Sequence, residues 1–331
     1  MIKLKNKKLL ITGIGGFIGL RAAEMAREKG MDVRGLEISP EKARIAQDRG
    51  FQVLIGDVND AEAGRRACEG RNIVLHTAAV VKEGGSLGFF RRVNVDGSRM
   101  VAIAAKEAGA SMFTQLSSVM VYGFDFPPNV AEEGPYRGEN NPYCITKIES
   151  EAAVLELNAP PKFGVIIIRP GDVYGPGSIP WVQRPLELMH SGKFALVDGG
   201  NGIMNHVYVD NLVDGIMRTW ERKTFGEAFN ITDGGNTTFA EYFNRLADLG
   251  GAPRPRSAPK WLVKAAAGAL YGAVKLIGRE PELHPGGADF VTRPHAYSIE
   301  KARRLLKYEP KIDLDEGFRR TGEWLNERHD H

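Results

Sequence analysis

Short apolar runs separated by polar, helix-favouring stretches set the rhythm of this chain. Residues 8–12, 32–36, 51–55, 72–76, 111–116 and 165–168 are short segments rich in Leu, Ile, Val and Phe. Such runs fit strands buried on both faces, as in a parallel sheet. Between them, 20–29, 41–49 and 89–108 carry helical patterns, and Gly30 and Gly50 close the first two. Strands alternating with helices in this way predict the α/β class, a doubly wound parallel sheet. After residue 168 the alternation weakens and proline and glycine become frequent. Helices are expected at 180–191 and 210–221, short strands at 194–197 and 206–209, and a late strand of the main sheet at 228–231. The expected organisation is a first domain over 1–175 and a smaller, interleaved region over 176–331, with 205–232 returning to the first. The tail predicts two helices, 297–310 and 314–327, around a proline turn at Pro310.

Composition narrows the class. A chain of 331 residues, 43% hydrophobic and 26% charged, is an ordinary soluble globular protein of one large domain plus a smaller one. A net charge of +3 gives no reason to expect a nucleic-acid partner. Cys68 and Cys144 are the only cysteines, without metal spacing, which argues for a reducing, cytoplasmic setting and against a disulfide scaffold or zinc site. No uninterrupted apolar run reaches the ~18 residues of a spanning helix. The run Leu9-Leu10-Ile11 stops at Thr12-Gly13, well short of a signal-peptide core.

The candidate chemistry begins at Gly13-Ile14-Gly15-Gly16-Phe17-Ile18-Gly19, a glycine turn between a strand and a helix. Gly13, Gly16 and Gly19 allow the tight turn, the approach of a pyrophosphate and close packing of helix on strand. The helix N-terminus at Phe17 and Ile18 offers N–H groups to phosphate. Glu37, at the end of the second run, is placed to accept from ribose hydroxyls and to repel a 2′-phosphate, so NAD is favoured. NADP stays open if Arg34 or Arg44 turns inward. Asp57, followed by Val58, is a candidate for the adenine amino group, and Asp60 competes with it for the alternative role of helix cap. Ala78 and Ala79 let the backbone come close to a ribose. His76 reads as a packed strand-end histidine. Gly13, Glu37, Asp57, Ala78 and Ser118 all fall at predicted C-terminal strand ends, where such sheets bind ligands.

Pro142-Tyr143-Cys144-Ile145-Thr146-Lys147 opens a helix with a tyrosine and a lysine four residues apart, on one face. A phenol titrates near ~10. A neighbouring ammonium favours the phenolate, and the pair then suits proton exchange with an alcohol or carbonyl.

With Ser118-Val119-Met120-Val121-Tyr122-Gly123 beside these motifs, the chain resembles the extended short-chain dehydrogenase/reductases. Thr12-Gly13-x-x-Gly16-x-x-Gly19, His76-x-Ala78-Ala79, Asn94-Val95-x-Gly97, Tyr143-x-x-x-Lys147, Arg169-Pro170-x-x-Val173-Tyr174-Gly175-Pro176 and Val209-Asp210-Asn211 carry the likeness over nearly the whole chain. The resemblance implies Tyr143 as general acid/base, Lys147 on the nicotinamide ribose, and Ser118 on the substrate oxygen. It implies Pro170 and Val173 at the nicotinamide end. Asn94 is implied in the cofactor site or, alternatively, as a tie between helix and sheet, and Tyr122 has the alternative of packing beneath the site. A homodimer through helices near 90–108 and 143–157 is implied by the same analogy.

The second half chooses the substrate. The nucleotide-sugar members of the family carry an arginine before the Val-x-Asp motif as a pyrophosphate clamp. Here Met204 or a neighbour stands there, and Arg293 is left as a phosphate contact or a surface charge. The apolar stretch 259–278, marked by Lys260, Lys264 and Lys275, reads as a helix capping the core. The alternatives for 261–278 are a lid over an apolar substrate and a helix lying on a membrane surface. These features, with the tail, are similar to the 3β-hydroxysteroid dehydrogenase branch. The expected activity is NAD(P)-dependent interconversion of a secondary alcohol and a ketone on a hydrophobic small molecule. The alternatives are a nucleotide-sugar epimerase or dehydratase retaining NAD, and a non-catalytic dinucleotide sensor.

Overall fold

The computed structural model of the chain describes residues 2–81, 85–276 and 286–329. Its strands are β1 Lys8–Thr12, β2 Asp32–Glu37, β3 Gln52–Ile55, β4 Ile73–His76, β5 Met112–Leu116, β6 Gly164–Pro170, β7 Asp172–Tyr174, β8 Ala195–Val197, β9 His206–Tyr208, β10 Ala228–Ile231 and β11 Arg256–Ala258. The helices are α1 Phe17–Glu28, α2 Pro40–Asp48, α3 Ala61–Cys68, α4 Leu87–Phe90, α5 Gly97–Glu107, α6 Pro142–Leu155, α7 Arg184–His190, α8 Val209–Arg222, α9 Phe239–Leu249, α10 Lys260–Leu276, α11 Gly287–Phe290 and α12 Leu314–His329.

Seven strands form one parallel sheet in the order β10-β6-β5-β4-β1-β2-β3. The chain winds outward from β1 to β3, then returns to β4 on the other side of β1. That reversal opens a crevice beyond the C-terminal ends of β1 and β4. Leu9 and Ile11 of β1 belong to the core under α1, α2 and α8, while Leu10 belongs to the core under α3, α5 and α6. Alternate strand residues point to opposite faces, and both faces are covered, so the strands read as continuous apolar runs. The expected late strand takes its place as β10 beside β6.

The second half adds two small parallel pairs, β7 with β9 and β8 with β11. Core residues of β9, α8 and α9 are continuous with those under α1. Helix α9 was not expected from the sequence, although Phe239, Tyr242, Phe243, Leu246 and Ala247 have helical spacing and are buried. The expected helix 89–108 is instead α4 and α5 joined by a wider π-type turn, Arg91–Asp96. In the tail, Tyr297 pairs with Val130 in an isolated bridge, and helical structure there begins only at residue 300.

Helix α10 corrects an expectation. It does not cap the core: Trp261, Leu262 and Leu270 are 71%, 47% and 51% exposed. Its half-buried side is Val263, Ala267, Tyr271 and Val274, and two lysines beside that side tie it to the protein. Lys260 Nζ donates to Thr292 Oγ1 (2.7 Å), and Lys260 and Lys264 both pair with Asp289 (3.0 and 2.8 Å). Residues 277 and 278 lie outside the described residues. Among the described residues no helix is long and apolar enough to cross a membrane.

Trp220 of α8 is fully buried and its Nε1–H donates to Thr114 Oγ1 of β5 (2.8 Å), fixing the helix on the sheet. Trp220→Ala is expected to destabilise the protein by ~3–5 kcal/mol through the cavity it leaves. Urea unfolding checks this, with a lower midpoint at unchanged slope as the expected outcome.

Candidate functional site

Gly13 leaves β1 with φ +69°, a conformation that glycine adopts without strain. A Cβ at Gly19 would lie 2.3 Å from the Gly13 carbonyl oxygen, and one at Gly13 would lie 3.0 Å from Ala78 N. The turn therefore closes against both α1 and the segment after β4. Gly16 is the N-cap of α1 and supplies no side-chain cap, and the first turn holds no acidic residue. The N–H groups at Phe17 and Ile18 thus lie at an uncapped, positive helix end, which suits a pyrophosphate.

Glu37 is buried at the end of β2. Its Oε2 accepts from the N–H of Gly15 (3.1 Å) and its Oε1 from that of Ser39 (3.2 Å), so the carboxylate is held against the glycine turn. Each oxygen keeps a lone pair for a ribose hydroxyl. Arg34 is turned elsewhere, donating to Gln52 Oε1 (3.1 Å) and to the Glu69 carbonyl (3.1 Å), and Arg44 is exposed on α2. The competition between two aspartates is resolved: Asp60 caps α3, accepting from Glu62 and Ala63, while Asp57 accepts from Asn59. Val58 is buried against Gly97, where a Cβ would lie 2.8 Å from its Cγ2. Ala79 is half-buried beside Ala78. This cradle, which an added methyl at Gly13, Gly15 or Gly19 would crowd, fits a dinucleotide. Sequence reasoning passed over two residues beside it. A Cβ at Gly15 would lie 2.4 Å from the Lys42 carbonyl oxygen, and Ile38, just past Glu37, is 62% exposed. The doubled glycine and the position after the acidic strand end were the signals available.

Ser118 follows β5, and its Oγ accepts from the Met120 N–H (3.1 Å), capping the 3₁₀ turn Val119–Tyr122. Asn141 caps α6 through its Oδ1, which accepts from Tyr143 N–H (2.9 Å) and Cys144 N–H (3.3 Å), with Pro142 in the first turn. The Ser118 side chain is near enough to act on the Tyr143 phenol, lowering its pKa against the effect of burial. Lys147, one turn on, is buried; its Nζ donates to the Leu116 carbonyl (2.8 Å) and lies 5.6 Å from the centre of the Tyr143 ring. Burial pulls Lys147 down to about 8, with Glu151 opposing. The expected lowering of the Tyr143 phenol is reversed. Burial raises it, and the Ser118 side chain opposes that rise only in part. Pro170 and Val173 are buried where β6 gives way to β7, next to the end of β5.

Asn94 sits in the π-type turn and does tie elements together. Its Oδ1 accepts from Val80 N–H (2.8 Å) and its Nδ2 donates to Val80 O (3.2 Å) and to Thr146 Oγ1 of α6 (3.2 Å). Tyr122 is fully buried beneath the site. Its hydroxyl donates to Asn230 Oδ1 and accepts from Arg169 Nη1, both at 2.7 Å. Arg169 grips Glu151 of α6 through Nε–Oε1 (2.9 Å) and Nη2–Oε2 (2.6 Å), and Ser117 Oγ also donates to Glu151. Arg293 is neither a surface charge nor free for phosphate. It is fully buried, paired with Asp172, and lies 4.0 Å from the centre of the Phe290 ring. Met204 is core.

His76 stacks on Phe113, and its Nδ1 bonds Thr12 Oγ1 (2.8 Å). Burial, with a smaller contribution from Lys147, pushes it down to about 3. The unfolded chain then binds the extra proton between an unfolded value near ~6.5 and the folded value, so stability falls as pH drops through that window. His76→Gln is expected to remove up to ~1.4 kcal/mol per pH unit from that acid slope, read by urea unfolding across the range. For the ion pair, Glu151→Gln leaves a buried guanidinium uncompensated and is expected to cost ~3–5 kcal/mol. Denaturation of Glu151→Gln beside Glu151→Met/Arg169→Met checks it, the double variant being expected to lose less.

Residues 9–232 match the NAD dependent epimerase/dehydratase family. The chain is 31% identical to a 2-alkyl-3-oxoalkanoate reductase of Stenotrophomonas maltophilia (strain K279a), over 95% of this chain and 98% of that one. It is 29% identical to a mouse (Mus musculus) decarboxylating sterol-4-alpha-carboxylate 3-dehydrogenase, over 96% and 90%. Among solved structures, an epimerase of Methanothermobacter thermautotrophicus superposes with a TM-score of 0.81 at 23% identity, covering 99% of this chain and 94% of that one, and shows the shared fold.

Proposed function

As a member of the NAD dependent epimerase/dehydratase family, the chain is an enzyme with NAD as its cofactor, and we propose that it interconverts a secondary alcohol and a ketone on a hydrophobic, sterol-like small molecule. The observation that carries this reading is the gathering of Ser118, Tyr143 and Lys147 at the end of β5, with Lys147 Nζ 5.6 Å from the centre of the Tyr143 ring and bonded to the Leu116 carbonyl, and the glycine turn across the crevice.

When bound, NAD supplies a hydride acceptor or donor. The glycine turn and the α1 N-terminus hold its pyrophosphate, Glu37 its adenosine ribose, Asp57 its adenine amino group, and Lys147 its nicotinamide ribose, with Pro170 and Val173 beside the nicotinamide. Ser118 and Tyr143 hold the substrate oxygen between their hydroxyls, and Tyr143 takes or gives its proton. Lys147 is charged below about 8 and so meets the nicotinamide ribose as a cation. Residues 176–331, apart from 205–232, bind the substrate. Aromatic packing of Phe124 on Phe290 (5.9 Å) and of Phe290 on Trp181 (6.1 Å), close after Gly123, supports an apolar substrate. The pairing of Arg293 with Asp172 and the burial of Met204 weigh against a nucleotide-sugar clamp. Both relatives' names put a carboxylate on the carbon next to the reacting one, so 3-hydroxy and 3-oxo acids belong in the substrate panel.

The test is absorbance of the reduced nicotinamide with NAD or NADP and a panel of hydroxysteroids, 3-hydroxy acids and simpler secondary alcohols, run in both directions. Turnover of a hydrophobic alcohol or ketone is expected, with Tyr143→Phe lowering kcat by ~10²–10⁴ while NAD binding persists. Unchanged turnover in Tyr143→Phe sinks the acid/base assignment, and turnover confined to nucleotide sugars sinks the substrate class.

A further inference from the structure

Helix α10 turns a wide apolar side to solvent. Lys260 and Lys264 reach inward to Asp289, and the N–H of Lys260 donates to Asp198 Oδ1 (2.7 Å). Val263, Ala267, Tyr271 and Val274, at helical spacing, are its half-buried side. The opposite side holds Trp261, Leu262 and Leu270, with alanines and glycines between them, and all of these are exposed. At 3.6 residues per turn this side covers roughly 200° of the helix without one polar side chain. The stripe that a neighbouring helix covers is nearer ~100°. An arc twice as wide suits a medium that wraps the helix, as the boundary between lipid headgroups and acyl chains does.

Two further features identify that medium. Trp261, 71% exposed, is of the residue type enriched at membrane–water boundaries. Lys260, Lys264 and Lys275 fall within ~60° of one another beside the apolar arc, and Lys264 and Lys275 are exposed there, within reach of headgroups. Three lysines against Asp289 leave an excess of positive charge along this edge, complementary to anionic lipid. The helix is also tied to the catalytic half. Its lysines bind Asp289 of α11, and Phe290 of α11 packs on Phe124, six residues past Ser118.

We propose that α10 docks the protein on the surface of an anionic phospholipid bilayer, lying in the interface without crossing it. The proposal is independent of the oxidoreductase reading, because its test involves no turnover. The full chain is sedimented with phosphatidylcholine vesicles with and without phosphatidylglycerol, beside Leu262→Glu/Leu270→Glu, whose substitutions are at exposed positions. The wild type is expected to co-sediment with the anionic vesicles, less so as salt screens the lysines. The double variant is expected to bind at least ~10-fold more weakly while retaining wild-type NAD affinity and circular dichroism. Wild-type protein left in the supernatant, or a variant that binds as well as the wild type, overturns the proposal. A wild-type dimer that ignores vesicles and becomes a monomer in the variant also overturns it and assigns the face to a second copy of the chain.

Discussion

The ion pair between Glu151 and Arg169 is the constraint on which the substrate side of this molecule depends. Neither side chain has appreciable access to water, and two hydrogen bonds join them. Charges so deeply buried are tolerated only when every remaining donor and acceptor is met. Here the surrounding chain meets them. Ser117, at the end of β5, donates to Glu151. Arg169, near the end of β6, donates onward to the Tyr122 and Tyr136 hydroxyls and to the Glu132 carbonyl. Asn230 of β10 closes the circuit through Tyr122 and through the Glu132 carboxylate. Two strand ends, α6, the 3₁₀ turn and the loop at 130–136 are thereby locked in one arrangement, with Ser118, Tyr143 and Lys147 fixed on its upper side.

That lock bears on the chemistry. Lys147 sits one turn before Glu151, and burial and the carboxylate act on it in opposite directions. The outcome, about 8, leaves the ammonium charged near neutrality although it is nearly sealed from solvent. The phenol of Tyr143 is governed by the same desolvation but with the opposite sign, since burial favours its neutral form. A lysine at helical spacing from a tyrosine is therefore not sufficient to acidify it. The geometry in between, here a 2.8 Å bond from Nζ to the Leu116 carbonyl, decides how much of the charge the phenol feels.

What could be read from the sequence divides along physical lines. The sheet was legible because each strand is an uninterrupted apolar run and each glycine turn is local. Gly16 and Gly19, and the opening of α6 at Pro142, are fixed by neighbours a few residues away. Long-range pairings were not legible. Arg293 looked like a surface charge because its partner Asp172 lies 121 residues earlier, and nothing in the local pattern announces such a pair. Arg169 and Glu151 were each within quoted or adjacent motifs, yet only the fold brings them together. Helix α9 had the correct periodicity but lay in the glycine- and proline-rich half, where the strand–helix alternation that had organised the reading was gone.

Helix α10 failed for a different reason. An apolar helical pattern says that a face avoids water, not what it meets instead. The core was the expected cover, and in the fold that place is already filled by Trp181, Phe239, Phe243 and Phe290, whose rings pack on one another. Helix α10 is tied on instead by Lys260 and Lys264 at Asp289, and its apolar arc turns out. The same segment that denies α10 a place in the core, through Asp289 and Phe290, also connects it to Phe124 and the end of β5. A surface built to meet lipid at that position would be joined through Asp289, Phe290 and Phe124 to the segment that follows Ser118, which links a packing constraint in the second half to the candidate site of the first.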